Sequence, residues 1–209
     1  MEQKSSEAKT LMEEVIQEEW RQFDLVQNQG GRASCQDNWE TFRIMRTAQF
    51  RSWPAPLLES YLQDLKDAAE AGWNLITETY ARMMESTVPE ECEQLRDRRP
   101  YRSPERLRRQ ERVIAMSVAW DEAFRARYPN YARRGRRIRT SEDTPYATSS
   151  ETYLRGELTT YSDRTYELYE KWIDELESSG ANLAEITAEY TAREYGYASV
   201  AELEERLAR

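Results

Sequence analysis

Apolar residues along this chain recur at helical spacing, and strand-like alternation is nearly absent. A first helix is expected over residues 9–28, with Ile16, Trp20 and Phe23 on one stripe and a stop at Gly30 and Gly31. A second, over 37–51, carries Trp39, Phe42, Met45 or Arg46, and Gln49 on one face and ends before Pro54. A third covers 56–71 and closes at Gly72, and a fourth covers 74–85. Ser103 is placed to cap a further helix with Pro104 at its first position; it carries Val113, Met116, Trp120 and Phe124 and stops before Pro129. Residues 130–148 read as a long irregular loop, followed by helices over 150–161, 162–178, 182–195 and 199–207. Ala, Glu, Leu, Arg and Gln dominate, which are helix-forming choices. The expected fold class is all-α.

The pattern repeats. At an offset of 111 residues Glu40, Thr41 and Phe42 face Glu151, Thr152 and Tyr153, and Leu65 faces Leu176. After a three-residue slip, Gly72-Trp73-Asn74-Leu75 faces Gly180-Ala181-Asn182-Leu183. Self-similarity over this length points to one helical unit written twice. The expectation is a single globular bundle of two sequence-related halves, about four helices each, with pseudo-twofold symmetry. The first repeat spans 9–88, a connector 89–103, the second repeat 104–197, and a short C-terminal helix 198–209.

A chain of 209 residues is long enough to bury a sizeable core, and six Trp, thirteen Tyr and four Phe supply apolar bulk. No apolar run approaches the roughly 18–20 residues that span a bilayer, and the first fourteen residues are polar and acidic. No membrane association is expected. Cys35 and Cys92 are too few for a disulfide scaffold, so a reduced, cytoplasmic setting is the simplest expectation. The net charge of −9 hides an asymmetry: residues 96–139 hold fifteen Arg against five acidic residues, which leaves the remainder at −19. A basic connector neutralising two acidic halves accounts for this better than nucleic-acid binding, because aromatic residues are not interleaved in a stacking pattern.

The chain has no histidine. Imidazole relays and the common imidazole-ligated metal sites are therefore excluded, and any acid or base must be Glu, Asp, Tyr, Lys or Cys. The densest polar run of the first half, residues 30–37, feeds a helix start. There Arg32, Gln36 and Asp37, with Glu40 on the following helix, are candidate ligand contacts, and Cys35 is a candidate nucleophile whose thiol a helix N-terminus would acidify. The alternative makes Ser34 or Asp37 a helix cap and Cys35 a small buried filler.

In the second half Glu142 and Asp143 are candidate acid–base groups, with Thr144, Tyr153 and Arg155 as ligand contacts. A turn-and-cap reading competes with this one. Two carboxylates fall short of a cation cage, so no metal site is assigned and no cofactor can be named. The repeat places Arg46 opposite Glu157, and packing of the halves about a twofold axis would bring the two together.

The reading that follows is a small polar, anionic metabolite bound or processed in a cavity between the repeats. Arg32, Arg46 and Arg155 would hold the anion, and Glu142, Asp143 or Glu157 would manage a proton. The alternative is a non-catalytic helical protein that serves a protein partner; a weaker one is RNA binding through the Arg-rich segment.

Five strings carry a likeness to a known family: residues 30–36 (GGRASCQ), 80–87 (YARMMEST), 140–145 (TSEDTP), 151–158 (ETYLRGEL) and Gly196-Tyr197. On these the chain resembles an uncharacterised bacterial family, domain of unknown function 4125, over nearly its whole length. The resemblance implies a bacterial, whole-length domain and brings no assigned reaction or catalytic residues.

Overall fold

A computed structural model describes residues 2–27, 31–87 and 100–209. Gly30, Cys92 and most of the expected connector lie outside the described residues. Ten α-helices and no strand are found among the described residues: α1 (Glu2–Asp24), α2 (Trp39–Phe50), α3 (Ala55–Glu70), α4 (Leu75–Thr87), α5 (Pro104–Arg127), α6 (Pro129–Ala132), α7 (Ser150–Thr160), α8 (Asp163–Ser178), α9 (Leu183–Glu194) and α10 (Val200–Leu207). The chain is all-α.

Helix starts follow local chemistry. The side chains of Asn38, Ser103, Ser149, Ser162, Asn182 and Ser199 each accept a backbone N–H in the first turn of α2, α5, α7, α8, α9 and α10. Two corners share one construction. Gly72, at φ +69°, lets Trp73 N donate to Ala68 O; Asn74 then accepts from Thr77 N and donates to Gln22 O of α1. Gly180, at φ +71°, lets Ala181 N donate to Leu176 O; Asn182 then accepts from Glu185 N and donates to Trp120 O of α5. Only glycine adopts this left-handed conformation without strain.

The segment expected to be an irregular loop, 130–148, is ordered by hydrogen bonds. Pro129 opens α6, and the Glu204 carboxylate of α10 accepts from Asn130 N, Asn130 Nδ2 and Tyr131 N. A 3-10 turn at Thr140–Glu142 and a Thr144–Ala147 bridge complete it. The first helix also ends four residues earlier than expected, because Gln36 Nε2 donates to Phe23 O and Val26 O and turns the chain there.

The main core gathers Val15 and Ile16 of α1, Leu58 and Leu65 of α3, Val113 and Ile114 of α5, Leu158 of α7 and Ile173 of α8. Around it α1 packs on α2, α3 and α4, α5 packs on α7, α8 and α9, and α3 packs on α8. Two further pairs, α4 on α7 and α2 on α9, join the start of the chain to its end. The α4–α7 contact depends on Gly156, where an added Cβ would lie 3.0 Å from Thr79 O and 3.2 Å from Met83 Cγ. Gly156→Val is expected to force the helices apart and cost about 2–3 kcal/mol in urea denaturation. An unchanged midpoint would show that the contact is not needed.

Candidate functional site

Three helices bury one arginine between two glutamates. Val15, Ile16 and Phe23 set the apolar stripe of α1, and Glu19 falls within it, fully buried. Arg46 reaches it from α2, with Nε 3.0 Å from Glu19 Oε2, and Glu157 of α7 lies 3.7 Å from Arg46 Nη1. Arg46 also donates to Gln49 Oε1 (2.6 Å) and to Tyr153 OH (3.1 Å). Gln49 Nε2 donates to Glu157 Oε1 (3.2 Å), and Tyr61 OH of α3 donates to Glu19 Oε1 (2.7 Å). The rings of Phe42 and Phe50 lie 5.6 and 5.9 Å from the guanidinium carbon. Arg46 thus donates to Gln49 and Tyr153 and forms an ion pair with Glu19, whose Oε2 accepts no hydrogen bond among the described residues.

The electrostatics follow from burial. Desolvation pushes the Glu19 carboxyl up to about 7, against the pull of Arg46 and the Tyr61 hydrogen bond and with help from Glu157. Burial alone would lower the Arg46 pKa, but Glu19, Tyr153 and Glu157 hold it well above its ordinary value. Because the folded protein binds the Glu19 proton more tightly than the unfolded chain does, its contribution to stability is complete below about pH 4.5. That contribution is lost as pH rises through about 7. Urea unfolding between pH 5 and 8 is expected to lose on the order of 3 kcal/mol from this group. Glu19→Gln should flatten that slope; an identical slope in both proteins would assign it elsewhere.

A cleft of about 410 Å³ opens beside this cluster between α2, α5, α7 and α9. Glu157, Gln49 and Tyr153 form its polar wall; Trp53, Trp120, Phe124, Tyr161 and Tyr169 supply aromatic faces, and Ala184 and Ala188 of α9 leave room. Trp53, Tyr161 and Tyr169 are only 5%, 1% and 4% exposed. No hydrogen bond within the described residues reaches their indole and hydroxyl tips, and all three residues border the cleft.

Of the residues expected to form a site, Arg46, Tyr153 and Glu157 are brought together. The others lie elsewhere. Arg32 is half-exposed and pairs with Asp24 and Asp37. Gln36 is buried and joins the end of α1 to the 3-10 turn at Ser34–Asp37. Cys35 sits exposed on that turn, so it is neither a buried filler nor at the start of an α-helix. Glu40 is exposed on the first turn of α2.

In the second half Glu142 accepts from Arg139 N, while Asp143 accepts from Ser149 N and Thr152 Oγ1 at the start of α7. Thr144 forms the short backbone bridge, and Arg155 is held by Glu111 and Glu151. No group of acidic and cysteine side chains able to hold a metal occurs among the described residues. The basic stretch makes ion pairs across the fold, among them Arg109 and Arg112 with Glu170, Arg127 with Glu185 and Arg139 with Glu122.

Sequence reasoning missed Glu19, Tyr61 and the aromatic walls of the cleft. Glu19 had a signal: a single acid at helical spacing between Ile16 and Phe23 on an apolar stripe.

The family model described as "Protein of unknown function (DUF4125)" matches residues 9–205, and the chain belongs to that family. No curated protein and no solved structure matches it significantly. No helix among the described residues is long and apolar enough to cross a membrane.

Proposed function

We propose that this member of the family is a small-molecule-binding protein, that its two halves are copies of one helical unit, and that a binding cleft has opened where α5, α7 and α9 of the second copy meet α2 of the first. The single observation that carries the reading is the cleft wall: Trp53, Tyr161 and Tyr169 are more than nine-tenths buried, and no hydrogen bond within the described residues reaches their polar tips. The volume lies within the roughly 300–1,000 Å³ usual for ligand pockets.

The duplication is supported by packing that maps onto itself. Exchanging α1 with α5, α2 with α7, α3 with α8 and α4 with α9 turns the α4–α7 contact into α9–α2, α1–α2 into α5–α7 and α1–α4 into α5–α9. The two glycine–asparagine corners correspond under the same exchange. Arg46 and Glu157 occupy matching positions and meet, as residues beside a twofold axis would. Sequence similarity alone pairs Ile76, Thr77 and Tyr80 with Ile186, Thr187 and Tyr190; with the asparagine corners as register, Ile76 and Tyr80 instead match Ala184 and Ala188, and Phe23 matches Asp121. Large residues that pack around Trp20 and Phe42 in the first copy are thus replaced by smaller ones along the cleft.

A larger open groove of about 710 Å³ along α1 is a weaker candidate, because its charged lining includes the ion pairs Lys9–Glu13, Arg21–Glu18 and Lys66–Glu14. Of the residues expected to do chemistry, only Glu157 lines the cleft, so binding rather than catalysis is the reading here.

A thermal-shift screen of small metabolites tests it. A ligand at 100 times its dissociation constant is expected to raise the melting temperature by roughly 5–10 °C. The double substitution Ala184→Ile and Ala188→Tyr, which copies the first half into the second, should abolish the shift while the protein stays folded. Shifts that survive this filling would place the ligand elsewhere, and a screen without hits would count against binding.

A further inference from the structure

Resting on the cleft reading, we propose that the ligand is an organic cation whose charged nitrogen docks on Glu157, and that docking expels a proton from the Glu19–Arg46–Glu157 cluster. The sign of the cleft is the first argument. Three carboxylates, Asp121, Glu151 and Glu157, line it, and no Lys or Arg does among the described residues. Asp121 is occupied by Arg125 and Ser150, and Glu151 by Arg155 and Thr140 N. Glu157 differs: Gln49 donates to its Oε1, and no hydrogen bond from the described residues reaches its Oε2. The aromatic walls are the second argument, since ring faces around a carboxylate attract ammonium ions and have no matching affinity for anions. The guanidiniums nearest the cleft are engaged by protein: Arg46 donates to Gln49 and Tyr153 and pairs with Glu19, Arg125 is held by Asp121 and Arg155 by Glu111 and Glu151, and Arg136, over the Tyr153 ring, donates to Thr148 O. On this proposal the ligand carries the opposite charge to the anionic metabolite expected from sequence.

The proton follows from charge balance. One guanidinium lies between two carboxylates, so a second positive charge is needed in this buried setting. In the empty protein a proton on Glu19 supplies it; burial, which favours the neutral carboxyl, acts in the same direction.

The groups facing Glu19 are Arg46 from α2, Tyr61 from α3 and Glu157 with Tyr153 from α7. Helix α4 also packs on α1; its Tyr80 faces Arg46 and Tyr153, while its Glu78 pairs with Trp73 and Arg82. A cation on Glu157 supplies the second positive charge, the proton passes to solvent, and Glu19 and Arg46 become a simple ion pair.

The test is calorimetric titration near neutral pH, in two buffers of different ionisation enthalpy, with aryl- and alkylammonium ions and the alcohols and carboxylates of the same skeletons. The expected result is at least about tenfold tighter binding of ammonium than of either counterpart, with up to about 0.5 proton released per ligand at pH 7. Glu157→Gln should weaken ammonium binding at least about tenfold. Glu19→Gln should still bind ammonium but release no proton, and circular dichroism checks that both variants fold.

Alcohols or carboxylates binding as tightly as ammonium would overturn the cation while leaving the cleft reading intact. Ammonium binding without proton release, or equal release by Glu19→Gln, would overturn the exchange. Binding that persists in the Ala184→Ile, Ala188→Tyr protein would overturn the cleft reading itself, and a panel in which no ammonium binds would overturn the proposal.

Discussion

Arg46→Met is expected to lower the free energy of unfolding by about 3–5 kcal/mol, because it strands two buried carboxylates without their counter-charge. The loss should be larger at pH 8 than at pH 5. At the lower pH a proton can neutralise Glu19, whose carboxyl titrates near 7 in the folded protein; at the higher pH both carboxylates would be charged and unpaired. Arg46→Lys keeps the charge but loses the fork that meets Glu19, Gln49 and Tyr153 together, so it should recover only part of the loss. Combining Arg46→Met with Glu19→Gln and Glu157→Gln should recover more, since no charge is then left buried. Urea denaturation of the four proteins at both pH values measures all of this. A single variant that loses under about 1 kcal/mol would show that water reaches the cluster.

Trp53→Ala is expected to cost a similar amount, about 3–5 kcal/mol, for a different reason. The indole is buried where α2 passes to α3, and its ring centroid lies 4.8 Å from Phe50, 5.7 Å from Tyr61, 6.2 Å from Tyr161, 5.7 Å from Tyr169 and 6.2 Å from Trp172. Removing it leaves a cavity that five large rings border and cannot fill by small movements. Chemical denaturation gives the energy, and loss of near-ultraviolet dichroism reports the cluster. Because Trp53 also lines the cleft, ligand affinity should fall in the same variant. A variant that keeps both stability and dichroism would remove Trp53 from the core.

The helices were legible because their signals are local. Ser103 before Pro104 starts α5, and Gly72-Trp73-Asn74 and Gly180-Ala181-Asn182 end one helix and cap the next. The Arg46–Glu157 approach was expected for another reason: the two residues fall at the 111-residue offset between similar stretches of sequence, and they do meet.

What could not be read depends on contacts between segments far apart in sequence. Nothing in residues 130–148 says that Glu204, more than seventy residues on, will organise Asn130 and Tyr131. Gln36 resembles a ligand contact until the end of α1 is brought against it. Arg32 and Arg155 resemble anion holders until Asp24, Asp37, Glu111 and Glu151 occupy them. Small residues such as Ala184 and Ala188 read as ordinary helix formers, and only opposite Trp53 and Tyr169 do they become a void.

The crossed contacts of α4 with α7 and α2 with α9 also bear on how the molecule is made. On the ribosome the first four helices emerge before either partner exists. Glu19 and Arg46 are then in place without Glu157, and the surfaces of α2 and α4 that will receive α9 and α7 are bare. Folding is therefore expected to wait for the second half, because each half lends surfaces that only the other covers. Unfolding should accordingly occur as one transition, and a nascent chain stalled before residue 150 should remain open to proteases.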